Sequence, residues 1–120
     1  MPSPTDSPEF LLNGTPLGRH PDTQQLSIAS ITCWADHPDG VNLTRPVGLG
    51  FSFVKDGNKI RKPAGATVQR SAPSEGETKR GVTINFDTSA LGGQVFDIEF
   101  IGRSICGRST LVVRVIVPSS

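Results

Sequence analysis

Large apolar residues alternate with polar or small ones in four separate stretches of the chain. Val47, Leu49, Phe51 and Phe53 are interleaved with Gly48, Gly50 and Ser52, and Val82, Ile84 and Phe86 with Thr83 and Asn85. Phe96, Ile98 and Phe100 are interleaved with Asp97 and Glu99, and Leu111, Val113, Val115 and Val117 form the fourth set. A period of two sends successive side chains to opposite faces of a strand, so each stretch predicts a strand with one face on a core. The predicted core is Phe51, Phe53, Ile84, Phe86, Phe96, Ile98, Leu111, Val113 and Val115. Leu26–Ile28 and Ile31–Cys33 also alternate, but out of phase, which predicts a bulge near Ala29–Ser30. Brief strands are expected at Ile60–Lys62 and Ala66–Gln69. No stretch keeps an apolar period of 3.6, so no substantial helix is expected.

Turn chemistry separates these strands. Asp56-Gly57 tolerates the positive φ angles of a tight hairpin. His37-Pro38-Asp39-Gly40 predicts a turn, Ser71–Arg80 a surface loop, and Gly102–Gly107 the turn of the last hairpin. The 120 residues, with 13 Gly and 10 Pro, fit one all-β domain of many short strands. Five of the ten prolines (Pro2, Pro4, Pro8, Pro16 and Pro21) fall in the first 23 residues. Proline lacks an amide donor and cannot pair continuously in a sheet. The expected organisation is therefore an extended arm, residues 1–23, with one anchor point or short edge strand in it and a disordered tail as the alternative, ahead of a folded domain, residues 24–120. Phe10, Leu11 and Leu12 form the arm's one apolar cluster and its expected anchor on another molecule.

The order of strands resembles an immunoglobulin-like β-sandwich. Val82-Thr83-Ile84-Asn85-Phe86-Asp87, Leu91-Gly92-Gly93 and Phe96-Asp97-Ile98-Glu99-Phe100 resemble the E strand, corner and F strand of bacterial and phage Ig-like modules. The resemblance spans residues 24–118 and implies an antiparallel sandwich, with a jelly roll as the alternative. Phe96 stands at the position of the family's corner tyrosine without its hydroxyl. Trp34 adjoins Cys33, whereas the family's core Trp belongs on the next strand. Cys106 falls in the last hairpin turn, not in mid-strand, so the family's intersheet disulfide is not implied. Two cysteines permit a bridge without demanding one, and in a reducing cytoplasm two buried thiols are the expectation.

The remaining residues exclude more chemistry than they suggest. A net charge of +1 gives no basic excess for nucleic acid. The most apolar segment, Leu111–Val117, is short and contains Arg114, so no membrane span is expected. Cys33, Asp36, His37 and Asp39 are the densest group of reactive types, yet their spacing lacks the ligand pattern of zinc or calcium. There is no Gly-x-Ser-x-Gly elbow, and Gly48-Leu49-Gly50 opens no helix that would cradle a phosphate. No catalytic residue, cofactor or metal is expected, and the chain reads as a non-enzyme. Lys55, Lys59, Arg61 and Lys62 read as charges guarding a strand edge rather than as an anion site. Asn13-Gly14-Thr15 and Asn42-Leu43-Thr44 match the glycosylation pattern, but no apolar leader precedes them.

One feature exceeds the requirements of folding. Val95 and Ile101 flank Asp97 and Glu99 on the face opposite the core, and Val112 and Ile116 flank Arg114. Together these four aliphatics make a candidate interface. The function expected from all of this is structural: a virion protein of a tailed phage, either a capsid decoration or a tail-associated Ig-like protein. Its partners would be other virion proteins or copies of itself in an oligomer or larger assembly, with no nucleic acid and no membrane. It would be made in the host cytoplasm; a cytoplasmic or secreted protein is the alternative location. A carbohydrate- or cell-surface-binding module is the alternative function, for which Trp34 is the one candidate aromatic platform outside the phenylalanine core.

Overall fold

A computed structural model describes residues 8–36, 48–71, 79–104 and 107–119. Ten strands and one helical turn follow in order: β1 (Glu9–Leu12), β2 (Thr15–Gly18), β3 (Gln24–Leu26), β4 (Ser30–Asp36), β5 (Gly48–Lys55), β6 (Asn58–Ile60), β7 (Ala66–Ser71), β8 (Arg80–Phe86), α1 (Thr88–Leu91), β9 (Val95–Ser104) and β10 (Gly107–Ile116). They form two five-stranded sheets, β2-β1-β4-β8-β7 and β3-β10-β9-β5-β6. All pairings are antiparallel except that of β3 with β10. In immunoglobulin terms the first sheet is A-B-E-D with one strand added outside A, and the second is A′-G-F-C-C′. The fold is an Ig-like β-sandwich.

The two inner faces make one core, because each strand sends alternate side chains inward. Eight of the nine predicted core residues are buried. Phe51 differs, being half-buried at the sheet rim, where Arg70 of β7 stands 5.3 Å from its ring centroid. Phe86 and Phe96 stack at 5.9 Å with their planes 11° apart, joining the E and F strands across the core. The corner between them has no tyrosine hydroxyl and closes by main chain instead. Gly93 N donates to Val117 O at 2.7 Å, and Val117 N donates to Gln94 O at 2.9 Å. Asp87 caps α1 by accepting from Ser89 N at 2.9 Å.

From Pro8 onward the amino-terminal segment is not the free arm that its prolines suggested. Phe10 is fully buried and Leu12 is 5% exposed, both inside the chain's own core. β1 pairs along its whole length with β4, so the boundary expected at residue 23 cuts through one sheet. The prolines are accommodated by position. Asn13 (φ 49°) and Gly14 (φ 84°) form a two-residue turn in which Leu12 and Thr15 face each other. The flanking pair of such a turn is hydrogen-bonded, so Pro16, one residue on, directs its missing donor to the sheet edge. Pro8 lies buried ahead of β1, and its carbonyl accepts from Ser109 Oγ at 2.6 Å. A Cβ at Gly102 would lie 3.2 Å from Pro8 Cβ and 3.3 Å from Ala35 Cβ, so glycine there makes room for this entry.

The phase break near Ala29 also has a different cause from the expected bulge. β3 belongs to one sheet and β4 to the other, and the chain crosses the sandwich edge between them. The strand expected at residues 60–62 ends at Ile60, and the strand expected at 66–69 runs to Ser71. The turn expected at His37–Gly40, Val47, most of the loop at 71–80 and Cys106 lie outside the described residues.

Candidate protein-interaction face

The outer face of the β3-β10-β9-β5-β6 sheet is built from the positions that alternate with the core. On β9 these are Val95, Asp97, Glu99, Ile101 and Arg103; on β10 they are Arg108, Thr110, Val112, Arg114 and Ile116. The register sets Val95 opposite Ile116, Asp97 opposite Arg114, Glu99 opposite Val112 and Ile101 opposite Thr110. On β5, Val54 lies beside Asp97, Ser52 beside Glu99 and Gly50 beside Ile101. Val95 is 41% exposed, and Val54, Ile101, Val112 and Ile116 are half-buried. Aliphatic side chains thus surround a charged centre on a surface that the fold itself does not need.

That centre is the Asp97–Arg114 pair. Arg114 Nε donates to Asp97 Oδ1 at 2.8 Å and Nη2 donates to Oδ2 at 3.2 Å. The hydrogen bond and charge of Asp97 hold the Arg114 guanidinium still further towards its charged form. The pair is exposed, so it orders the surface more than it stabilises the fold. A shallow depression of about 360 Å³ opens beside it, between Val95 and the Asp56-Gly57 turn. The register therefore brings the four predicted aliphatics, Val95, Ile101, Val112 and Ile116, onto one face. It separates them from Phe10, Leu11 and Leu12, which lie in the other sheet. Phe10 and Leu12 are corrected from interface to core residues, and Leu11 is half-buried on the outer side of β1, opposite Trp34.

Trp34 occupies the outer face of the other sheet. A Cβ on Gly81 would meet three atoms of its ring at 2.7–2.8 Å, so the indole lies flat on the glycine backbone. Lys79 Nζ stands 5.2 Å from the ring. A depression of about 430 Å³ next to it is bounded by Leu11, Asn13, Thr32, Asp36 and Lys79. With Gly81 under the ring and Lys79 over it, the indole is engaged by its own sheet.

Cys33 and Asp36, the described members of the group weighed for metal, point to opposite faces of β4. Cys33 points into the core as a free thiol, whereas Asp36, an odd number of residues along the same strand, belongs to the outer face. Burial pushes the Cys33 thiol up from 9.0 to about 12, which makes it a packing group rather than a nucleophile. His37 and Asp39 lie outside the described residues. Among the described residues no three His, Cys, Asp or Glu side chains are grouped to hold a metal ion. Among them, too, no helix is long and apolar enough to cross a membrane. Lys55, read as an edge guard, stands 5.5 Å from the ring of Phe96, while Lys59, Arg61 and Lys62 are exposed.

No protein-family model matches the chain, and no curated protein matches it. Among solved structures it is similar to one titled "Crystal structure of the Titin M10-Obscurin like 1 Ig complex in space group P1". The identity is 13% and the TM-score 0.36, over 95% of this chain and 98% of that one.

Proposed function

We propose that the chain is a non-catalytic structural module that joins a protein assembly through the outer face of its β3-β10-β9-β5-β6 sheet. The observation that carries this reading is the aliphatic group of exposed Val95 and half-buried Val112, Ile101 and Ile116 around the Asp97–Arg114 pair. Aliphatics left in contact with water on a sheet face mark a contact surface, and the Asp97–Arg114 pair among them, already satisfied by its own hydrogen bonds, would fix the orientation of a partner. The setting we propose is a virion of a tailed phage, with the module as a capsid decoration or tail-associated protein. A small sandwich carrying an assembly face fits that role. Carbohydrate binding is the weaker reading, because the stacking face it needs on Trp34 is engaged by Gly81 and Lys79.

A photo-crosslinking amino acid at Val95, compared with one at Thr83 on the opposite outer face, tests the proposal in the native source. Val95 should trap one discrete protein, and mass spectrometry of that species then reads whether it is a virion component. No product at Val95, or equal products at both positions, would remove the face from the function. A discrete partner that is no virion component would remove the proposed setting.

A further inference from the structure

The Asp56-Gly57 turn fixes which main-chain groups of β5 face outward. Both residues have positive φ (53° and 82°), and Lys55 pairs with Asn58 across the two-residue loop. The pair flanking such a turn is hydrogen-bonded, and bonding then alternates along an antiparallel ladder. The main-chain groups of Lys55 and Phe53 therefore point to β6, and those of Phe51 and Leu49 point the same way. β6 ends at Ile60, opposite Phe53. Among the described residues, no strand meets Leu49 and Phe51 on that side. The Leu49 carbonyl there accepts from Arg70 Nη1 at 2.9 Å.

Among the described residues, the surface beside this edge is bare and basic. A Cβ at Gly50 would meet nothing within 4 Å, and one at Gly48 only Arg103 Cβ at 4.0 Å. A depression of about 440 Å³ lies over these glycines, with Ile101 as an apolar wall and Lys59 and Arg103 at its margins. Arg70 stands at the edge itself, and Arg61 and Lys62 follow directly where β6 leaves the ladder. Cations on a sheet edge repel other basic edges, including that of a second copy of this chain. The same cations attract an acidic strand, so the guard becomes a selector.

We propose that the edge of β5 at Leu49–Phe51 takes an extended, acidic peptide segment of a protein partner as an added strand. Main-chain bonds to the Leu49 amide and to the amide and carbonyl of Phe51 would hold the peptide. Its carboxylates would meet Lys59 and Arg103, and an apolar residue would rest over Gly50 against Ile101. The inference rests on the reading of the chain as a protein-binding module; it uses the β5 edge and the Ile101–Arg103 end of the same outer face, away from Val95 and Val112.

Amide hydrogen exchange and chemical shifts of the full chain test it, with a synthetic peptide of about ten residues whose alternate positions run glutamate, valine, glutamate, with threonine between them, so that one strand face carries both residue types. A matched peptide with lysine in place of glutamate is the control. The acidic peptide should slow exchange at Leu49 and Phe51, and the lysine peptide should bind at least about tenfold more weakly. Lys59→Glu with Arg103→Glu, both on the surface, should weaken the acidic peptide roughly tenfold or more. Val95→Glu with Val112→Glu should leave peptide binding unchanged, which separates failure here from failure of the crosslinking test. Equal binding of the two peptides would overturn the proposal, as would no protection at Leu49 and Phe51. A concentration-dependent dimer through these amides would replace the peptide with a second copy. Full competition by a sulfated polysaccharide without amide protection would show an anion patch instead.

Discussion

Phe10→Ala tests whether the amino-terminal strand belongs to the fold. Phe10 is fully buried, faces the core from β1 and pairs in register with Ala35 of β4. A buried phenylalanine removes about 200 Å² from water, worth roughly 5 kcal/mol at about 25 cal/mol per Å². Alanine retains part of this and leaves a cavity, so the expected loss is about 3–5 kcal/mol. A domain of this size has a total stability on the order of 5–15 kcal/mol, so the loss is a large share of it. Leu11→Ala is the internal control: Leu11 is half-buried on the outer side of the same strand, and its truncation should cost under about 1.5 kcal/mol. Urea denaturation followed by Trp34 fluorescence measures both. The midpoint should fall steeply for Phe10→Ala with the slope unchanged. A Phe10→Ala midpoint equal to that of the parent chain would refute the reasoning and restore the segment as a free arm.

Gly81→Ala drives a methyl into the indole of Trp34 and should destabilise by about 1–3 kcal/mol. The same change in a Trp34→Ala background should cost nothing or stabilise, a coupling that a double-mutant cycle of chemical denaturation reads directly. In a Cys106→Ser variant, where Cys33 is the sole thiol, Ellman's reagent should react only after unfolding. The Cys33 pKa is raised from 9.0 to about 12, so the unfolded thiol ionises first as pH rises. Its contribution to stability is complete below about pH 9 and is lost between pH 9 and 12. Cys33→Ala should flatten that stretch of a stability–pH profile; an unchanged slope would contradict the burial argument.

Much of the sandwich was legible because alternation with a period of two is a direct imprint of a half-buried strand. Ile84, Phe86, Ile98 and Val113 needed no further information. The amino-terminal hairpin was missed although its signal was present. Asn13-Gly14 is a strong two-residue turn signature as well as a glycosylation pattern, and the prolines around it argue for no more than a short edge strand, whereas the segment supplies two strands, one of them inside the sheet. What decides is which side of a strand a proline's missing donor faces, and that depends on register, which composition does not carry. The break between Leu26 and Ile31 was visible as a phase shift. A bulge and a change of sheet give the same shift, and only the pairing of β3 with β10 separates them. Of the candidate site, Val95, Ile101, Val112 and Ile116 were found because their strands keep strict alternation. The β5 edge was not found, because an unpaired edge is a property of what fails to lie beside a strand. Trp34 over Gly81 was equally invisible, since the two meet only through cross-strand register.

The claim that the β3-β10-β9-β5-β6 sheet is an assembly face is tested most directly by imaging the assembly itself. Electron cryo-microscopy of particles isolated from the native source, at a resolution that places the sandwich, reads which outer face meets a neighbour. The account predicts density of another protein against Val95 and Val112, with the Trp34 face turned away from that contact. Particles in which the Val95 face lies in solvent while the β4-β8-β7 face is covered would contradict it.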